Sequence, residues 1–171
     1  RGALRMNAGA YGGEMKQIVE SAEVLTSEGE VLNLTNEELG MGYRTSVIAK
    51  NDYVALSAVL KLEKGDRQEI RAYMEDLKER RVTKQPLEFG SAGSTFKRPE
   101  GYFAGKLIQD SGMQGYRVGD AQVSEKHCGF VINRGNATAA EVVQLMKDVA
   151  DRVEEKFGVR LEPEVRRIGE F

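Results

Sequence analysis

Apolar and polar positions change period along this chain, and the changes mark its elements. Between Tyr53 and Leu62, Val54, Leu56, Ala58, Leu60 and Leu62 alternate with Tyr53, Ala55, Ser57, Val59 and Lys61. Period 2 with one strongly apolar face predicts a strand. Lys64-Gly65-Asp66 ends it, and Asp66 with Glu69 has the spacing to cap a helix whose apolar stripe is Ile70, Met74 and Leu77. The change of period near residue 65 is the expected domain boundary.

Upstream, Lys16–Leu25 predicts a strand, Ser27–Glu30 a turn, and Val31–Leu34 the returning strand of a hairpin. Thr35 and Glu38 have capping-box spacing and predict a short helical turn. Gly40 and Gly42 end that turn and deliver Tyr43, Arg44 and Ser46 onto a loop. Downstream, Tyr102–Ser111 predicts a helix burying Phe103, Leu107 and Ile108 and closed by Gly112. Short strands are expected near Tyr116–Val118 and Phe130–Asn133. Thr138 and Glu141 form a second capping box, opening the longest helix with Val142, Met146, Val149, Val153 and Phe157 on one face and Gly158 as its stop. The closing LEPEVRRIGEF reads as extended. The class is α+β, strands first and then helices on a small sheet.

Composition narrows the function. The 171 residues carry a net charge of −2 with both signs interspersed, so no basic footprint points to nucleic acid. No apolar run approaches the roughly 18 residues of a membrane span. Cys128 is the one cysteine, which fits a reducing cytoplasm, and with His127 the one histidine a zinc site is not expected. Cys128 itself reads as a small buried core residue. The opening RGALRMNAGAYGG has neither an initiator Met nor a secretory pattern, as if cut from something longer.

Candidate chemistry centres on Gly90–Pro99, GSAGSTFKRP. Its glycines, hydroxyls and Lys97-Arg98 pair suit an anion such as a phosphate or carboxylate; a flexible polar loop is the alternative. MNAGAYGG, residues 6–13, suits close approach of backbone to a flat or phosphorylated ligand, or a tight turn between strands. Lys78, Arg80, Arg81 and Lys84 read either as ordinary helix C-terminal electrostatics or as a basic rim for a pyrophosphate. Arg44, Ser94 and Glu164 are unconvincing singly and suit one chemistry together. A serine hydroxyl is a weak acid, able to protonate a strong base such as an enolate carbon. An arginine would stabilise the enolate's charge, and a glutamate would hold or shuttle a proton. That is a toolkit for reducing a polarised C=C bond.

MNAGAYGGE, GYRTS, QPLEFGSAGSTFKRP, AGKLIQDSGMQGYRVGDAQVSEKHCGFVIN, GNAT and LEPEVRRIGEF occur in this order. The chain thereby resembles the UDP-N-acetylenolpyruvoylglucosamine reductases of bacterial peptidoglycan precursor synthesis over essentially its whole length. The resemblance implies FAD, reduced by NADPH and passing hydride from N5 to the enolpyruvyl methylene carbon of a UDP-sugar. It implies Ser94 as proton donor, with Arg44 and Glu164 stabilising the enolate. Asn7, Ala8, Gly9, Ala10, Tyr11 and Gly12 would lie along the flavin, and Arg81, Lys84, Gln85, Lys97 and His127 would contact the UDP-sugar.

The implied fold is the end of a vanillyl-alcohol-oxidase-type FAD-binding domain (1–63), then an α+β substrate-binding domain with a returning C-terminal segment (64–171). The uninterrupted stretch from Arg44 to Asp66 is similar to the shorter branch of the family, which lacks an extra tyrosine loop. Family members carry a further N-terminal section gripping the flavin pyrophosphate, so non-covalent FAD binding by this chain is expected to be weak or absent. The complete enzyme is expected to be a cytoplasmic monomer. A nucleotide-sugar-binding module without redox activity is the competing expectation; another flavin-dependent oxidase of the same fold fits less well, because the three blocks carrying Arg44, Ser94 and Glu164 occur together.

Overall fold

The computed structural model describes residues 2–169. Arg1, Glu170 and Phe171, the ends of the expected domain spans and of the LEPEVRRIGEF block, lie outside the described residues. The chain divides into two compact units, Arg1–Tyr73 and Met74–Phe171.

In the first unit, helix α1 (Gly2–Arg5) leads into a hairpin of β1 (Gly9–Ala10) and β2 (Gly13–Glu14). Strands β3 (Val19–Leu25) and β4 (Val31–Thr35), helix α2 (Val47–Lys50) and strand β5 (Val54–Leu60) follow, the strands forming an antiparallel sheet in the order β4-β3-β5. The β3–β4 hairpin runs from Leu25↔Val31 to Ser21↔Thr35, close to expectation. Lys16 stands before it, in a 3-10 turn (Met15–Gln17). The Thr35–Glu38 capping box is present: Thr35 N donates to Glu38 Oε2 at 2.8 Å and Glu38 N to Thr35 Oγ1 at 3.3 Å. It closes a turn rather than a helix and drives Leu39 into a core with Leu4, Val24, Ile48 and Ala55.

Strand β5 does not bury the face expected of it. Ala55 is its buried residue, while Val54, Leu56 and Leu60 are 46%, 40% and 45% exposed. Pairing explains this. Ala55 lies opposite Val24, which faces the core, and the shift between Glu23↔Ser57 and Val24↔Ala55 leaves Leu56 as an extra residue that breaks the alternation.

Helix α3 (Arg67–Lys84) begins where expected, with Asp66 Oδ1 accepting from Gln68 N at 2.8 Å and Glu69 N at 3.0 Å. Its expected apolar stripe is not buried. Ile70 and Met74 are 49% and 64% exposed, and Leu77 is half-buried. The helix is polar around most of its circumference and is held by its cap and by intrahelical pairs, Glu75–Lys78 at 3.2 Å and Asp76–Arg80 at 2.8 Å.

The second unit has a sheet of its own, which corrects the strands-first layout. Strands β6 (Gly90–Ser94), β7 (Arg117–Val118), β8 (Ala121–Val123) and β9 (Phe130–Asn133) form an antiparallel sheet in the order β6-β9-β8-β7. Helices α4 (Ala104–Asp110) and α5 (Ala139–Phe157) share its core, with Leu107, Ile108, Val123, Leu145, Val149 and Val153 buried together. Strands β6 and β8 were not expected: β6 is too rich in glycine and serine to carry an apolar alternation, and β8 is buried throughout. Helix α4 is shorter than Tyr102–Ser111. Phe103 precedes it and is 63% exposed beneath the Arg98 guanidinium, 4.0 Å from the ring centre.

Helix α5 follows its pattern. Thr138 Oγ1 accepts from Glu141 N, Glu141 Oε2 accepts from Thr138 N, and Gly158 closes the helix at φ 67°. Gly119, in the β7–β8 turn at φ 56°, lies against the Glu141 carboxylate so closely that a Cβ there would overlap it. Beyond α5 the chain extends back along β6. Phe96 bridges Pro163, Lys97 N donates to Glu162 O at 2.8 Å, and Leu161 is buried.

Candidate active site

The glycine-rich run and Arg44 meet within the first unit. A pocket of about 200 Å³ is lined by Asn7, Gly9, Ala10, Gly12, Gly13, Glu14, Tyr43 and Arg44. Two tight turns make it. The β1–β2 hairpin turns through Tyr11 and Gly12, and the second turn is closed by Gly42 and Thr45, each donating its N–H to the other's carbonyl at 3.1 and 3.2 Å. Arg44 sits third in that turn at φ 54°, a position and conformation normally taken by Gly or Asn. Asn7 (φ 44°) and Tyr11 (φ 51°) are likewise left-handed. Of these, Arg44 lines the pocket in a conformation that is costly for a non-glycine, non-Asn side chain, and such residues concentrate at functional sites.

Asn7 is buried and ties these turns together. Its Nδ2 donates to Glu14 Oε2 at 2.8 Å and to Gly42 O at 3.2 Å, and its Oδ1 accepts from Lys16 N at 2.9 Å. The Asn7 donor, with Lys16 Nζ at 3.2 Å, holds the Glu14 carboxyl below the usual carboxylate range. Sequence reasoning did not single out Glu14 or Tyr43; the signal available was their adjacency to the glycine run and to Arg44. The glycines of this wall present bare backbone, and Gly12 has open space where a Cβ would stand, which suits close approach of a flat group. Ala8 and Tyr11 do not line this pocket.

The segments that carry Ser94 and Glu164 adjoin in the second unit. Ser94 ends β6, opposite Phe130, and is exposed. Thr95, its neighbour, is buried; Thr95 Oγ1 accepts from Val131 N at 3.0 Å and its carbonyl accepts from Glu164 N at 2.8 Å. Seventy residues apart in sequence, Ser94 and Glu164 are thus carried by adjoining extended segments, one position out of register. The irregularity between Ser91 and Ser94 re-aims the end of β6.

Beside them lies a largely apolar cleft of about 360 Å³ between β6, β9 and α5. Ser91, Thr95, Asn133, Met146, Val165 and Arg166 are among its walls, while Ser94 and Glu164 are not. The reading of α5 as a core stripe missed it, since Val142 and Met146 serve both purposes.

The residues expected to contact the sugar nucleotide all lie in the second unit. Lys97 pairs with Glu162 at 3.0 Å, and His127 Nδ1 accepts from Gly129 N at 3.1 Å while its ring packs edge-on against Phe130. Arg81 and Lys84 are exposed on the last turn of α3, and Gln85 is half-buried just beyond it. Among the described residues no group of His, Cys, Asp and Glu could hold a metal ion, and no helix is long and apolar enough to cross a membrane. Cys128 is in the core, and burial pushes its thiol pKa up.

Residues 85–168 match the family described as UDP-N-acetylenolpyruvoylglucosamine reductase, C-terminal domain. Proteins named UDP-N-acetylenolpyruvoylglucosamine reductase from Lachnoclostridium phytofermentans and Agathobacter rectalis are 62% and 59% identical, each over 99% of this chain and 54% of their own length. Over residues 85–168 this chain belongs to the UDP-N-acetylenolpyruvoylglucosamine reductase family. The crystal structure of the family member from Thermus caldophilus matches 95% of this chain and 58% of its own, at 39% identity and a TM-score of 0.80. The chain spans about half the length of the curated relatives it matches.

Proposed function

We propose that this chain supplies the reducing site for the enolpyruvyl C=C bond of UDP-N-acetylglucosamine enolpyruvate, forming UDP-N-acetylmuramate for peptidoglycan. The support is the family relationship together with one observation: Glu164 N bonded to Thr95 O, which brings the glutamate segment alongside Ser94. On this reading residues 1–63 are the end of a FAD-binding domain of the vanillyl-alcohol-oxidase type, and residues 64–171 bind the substrate.

FAD, reduced by NADPH, would supply hydride to the methylene carbon when bound; Asn7, Gly9, Ala10 and Gly12 would provide the wall along it. The C=C electron pair shifts toward the carboxyl-bearing carbon. The Arg44 guanidinium and a proton held on the Glu164 carboxyl stabilise the enolate charge, and Ser94 Oγ gives its proton to the carbon, the resulting alkoxide being reprotonated from solvent. Arg81, Lys84, Gln85, Lys97 and His127 contact the UDP-sugar.

The test is Ser94→Ala in a protein of full family length carrying this sequence. Reduction of the flavin by NADPH should continue, while reoxidation by the enolpyruvyl substrate should slow by roughly 10²- to 10⁴-fold, the range of a positioned general acid. Reoxidation at the normal rate removes the role given to Ser94.

A further inference from the structure

We infer that Asn7 is a positioning residue whose amide fixes the turn presenting Arg44, rather than a ligand of whatever lies against the glycine wall. Both Nδ2 hydrogens are used inside the protein, one on Glu14 Oε2 at 2.8 Å and one on Gly42 O at 3.2 Å. Its Oδ1 takes Lys16 N at 2.9 Å, and the residue is 3% exposed, so it has no donor to offer a ligand. The three bonds join residue 7 to the β1–β2 hairpin, to Lys16 just beyond it and to the Gly42–Thr45 turn 35 residues on, and the hairpin and the turn both line one pocket.

This clamp is needed because Arg44 occupies a left-handed conformation at a turn position that arginine disfavours. Such a conformation persists where the surroundings over-determine it. The bond to Gly42 O sits at the first residue of that turn and is the fixed point from which Tyr43 and Arg44 project. Asn suits the task twice: it tolerates its own φ of 44°, and it offers two donors and an acceptor in one plane. The role in catalysis rests on the reading of Arg44 under Proposed function; the clamp itself does not.

The test separates the two. Asn7→Gly keeps the left-handed backbone and deletes the amide, and Asn7→Asp keeps the shape but replaces the donor with a carboxylate facing Glu14. In isotope-labelled chain, the Arg44 Cα resonance should report the left-handed conformation in the native protein and move toward the ordinary range in both variants. Adding Glu14→Gln to Asn7→Asp restores a donor to that contact and should bring the resonance part of the way back. In the full-length protein, kcat should fall roughly 10- to 100-fold with KM nearly unchanged, the signature of a misplaced group. An unmoved Arg44 resonance in Asn7→Gly, or in Asn7→Asp should the glycine variant not fold, overturns the inference. A moved resonance with normal kcat upholds the clamp and overturns the role proposed for Arg44.

Discussion

Glu164 donates its backbone N–H to the carbonyl of Thr95 at 2.8 Å, so the residue beside Ser94 is a hydrogen-bond partner of the C-terminal segment. The anchor of that segment is Leu161, 2% exposed and part of the second unit's core. Leu161→Ala should destabilise this unit by about 2–4 kcal/mol in urea denaturation, because buried truncations lose both transfer energy and packing. Ile168→Ala, at a side chain 88% exposed, should change stability by less than about 0.5 kcal/mol. Equal effects would show that the tail is not held where the core holds Leu161.

Arg44 is expected to trade stability for function. Replacing it by Asn, which tolerates positive φ and favours that turn position, should raise stability by roughly 0.5–1 kcal/mol. Turnover of the full-length protein should fall with it. Thermal denaturation measured beside turnover checks both signs, and a drop in melting temperature would contradict the strain argument.

The first unit should lose stability in acid. Glu14 is held below the ordinary carboxylate range by Asn7 and Lys16, and Glu38 by the Thr35 N–H and hydroxyl. A depressed folded-state pKa means that these groups contribute fully above their unfolded value, and that the contribution is lost as pH falls through the folded value. Melting temperature should therefore decline between about pH 5 and about pH 3. The Glu14→Gln and Glu38→Gln double variant should show a shallower decline, and an unchanged slope would mean that other carboxylates control it.

Cys128 should be chemically quiet. It is 8% exposed among core side chains, and burial raises its pKa, so little thiolate exists near neutrality. Iodoacetamide should label it slowly in the native chain and rapidly in denaturant. Fast native labelling would place the thiol outside the core.

The sequence made some elements legible because local chemistry dictates them. Helix α5 has a capping box, an apolar stripe and a glycine stop, and it forms between Ala139 and Phe157. The β3–β4 hairpin announced itself through its turn and its apolar runs. Strand β6 did not, since glycines and serines have no alternation to read, and its pairing with β9 is a tertiary fact. The facing of β5 depended on its register with β3, again invisible locally. Blocks of sequence named Arg44 and Ser94, whereas the Asn7 clamp needed coordinates, because its partners Glu14 and Gly42 are brought to it only by folding.

The glycine at the β7–β8 turn and the acid that begins α5 act as a single mechanical joint. With no side chain at 119, the Glu141 carboxylate that accepts from Thr138 N rests directly over the turn, so the turn leaves room for the helix's cap. Any residue larger than glycine must dislodge Glu141, and the damage would register as fraying at Thr138, nineteen positions from the altered site. A helix that walls the cleft beside Ser91 and Thr95 is in this way levelled by a bend on the far edge of the sheet.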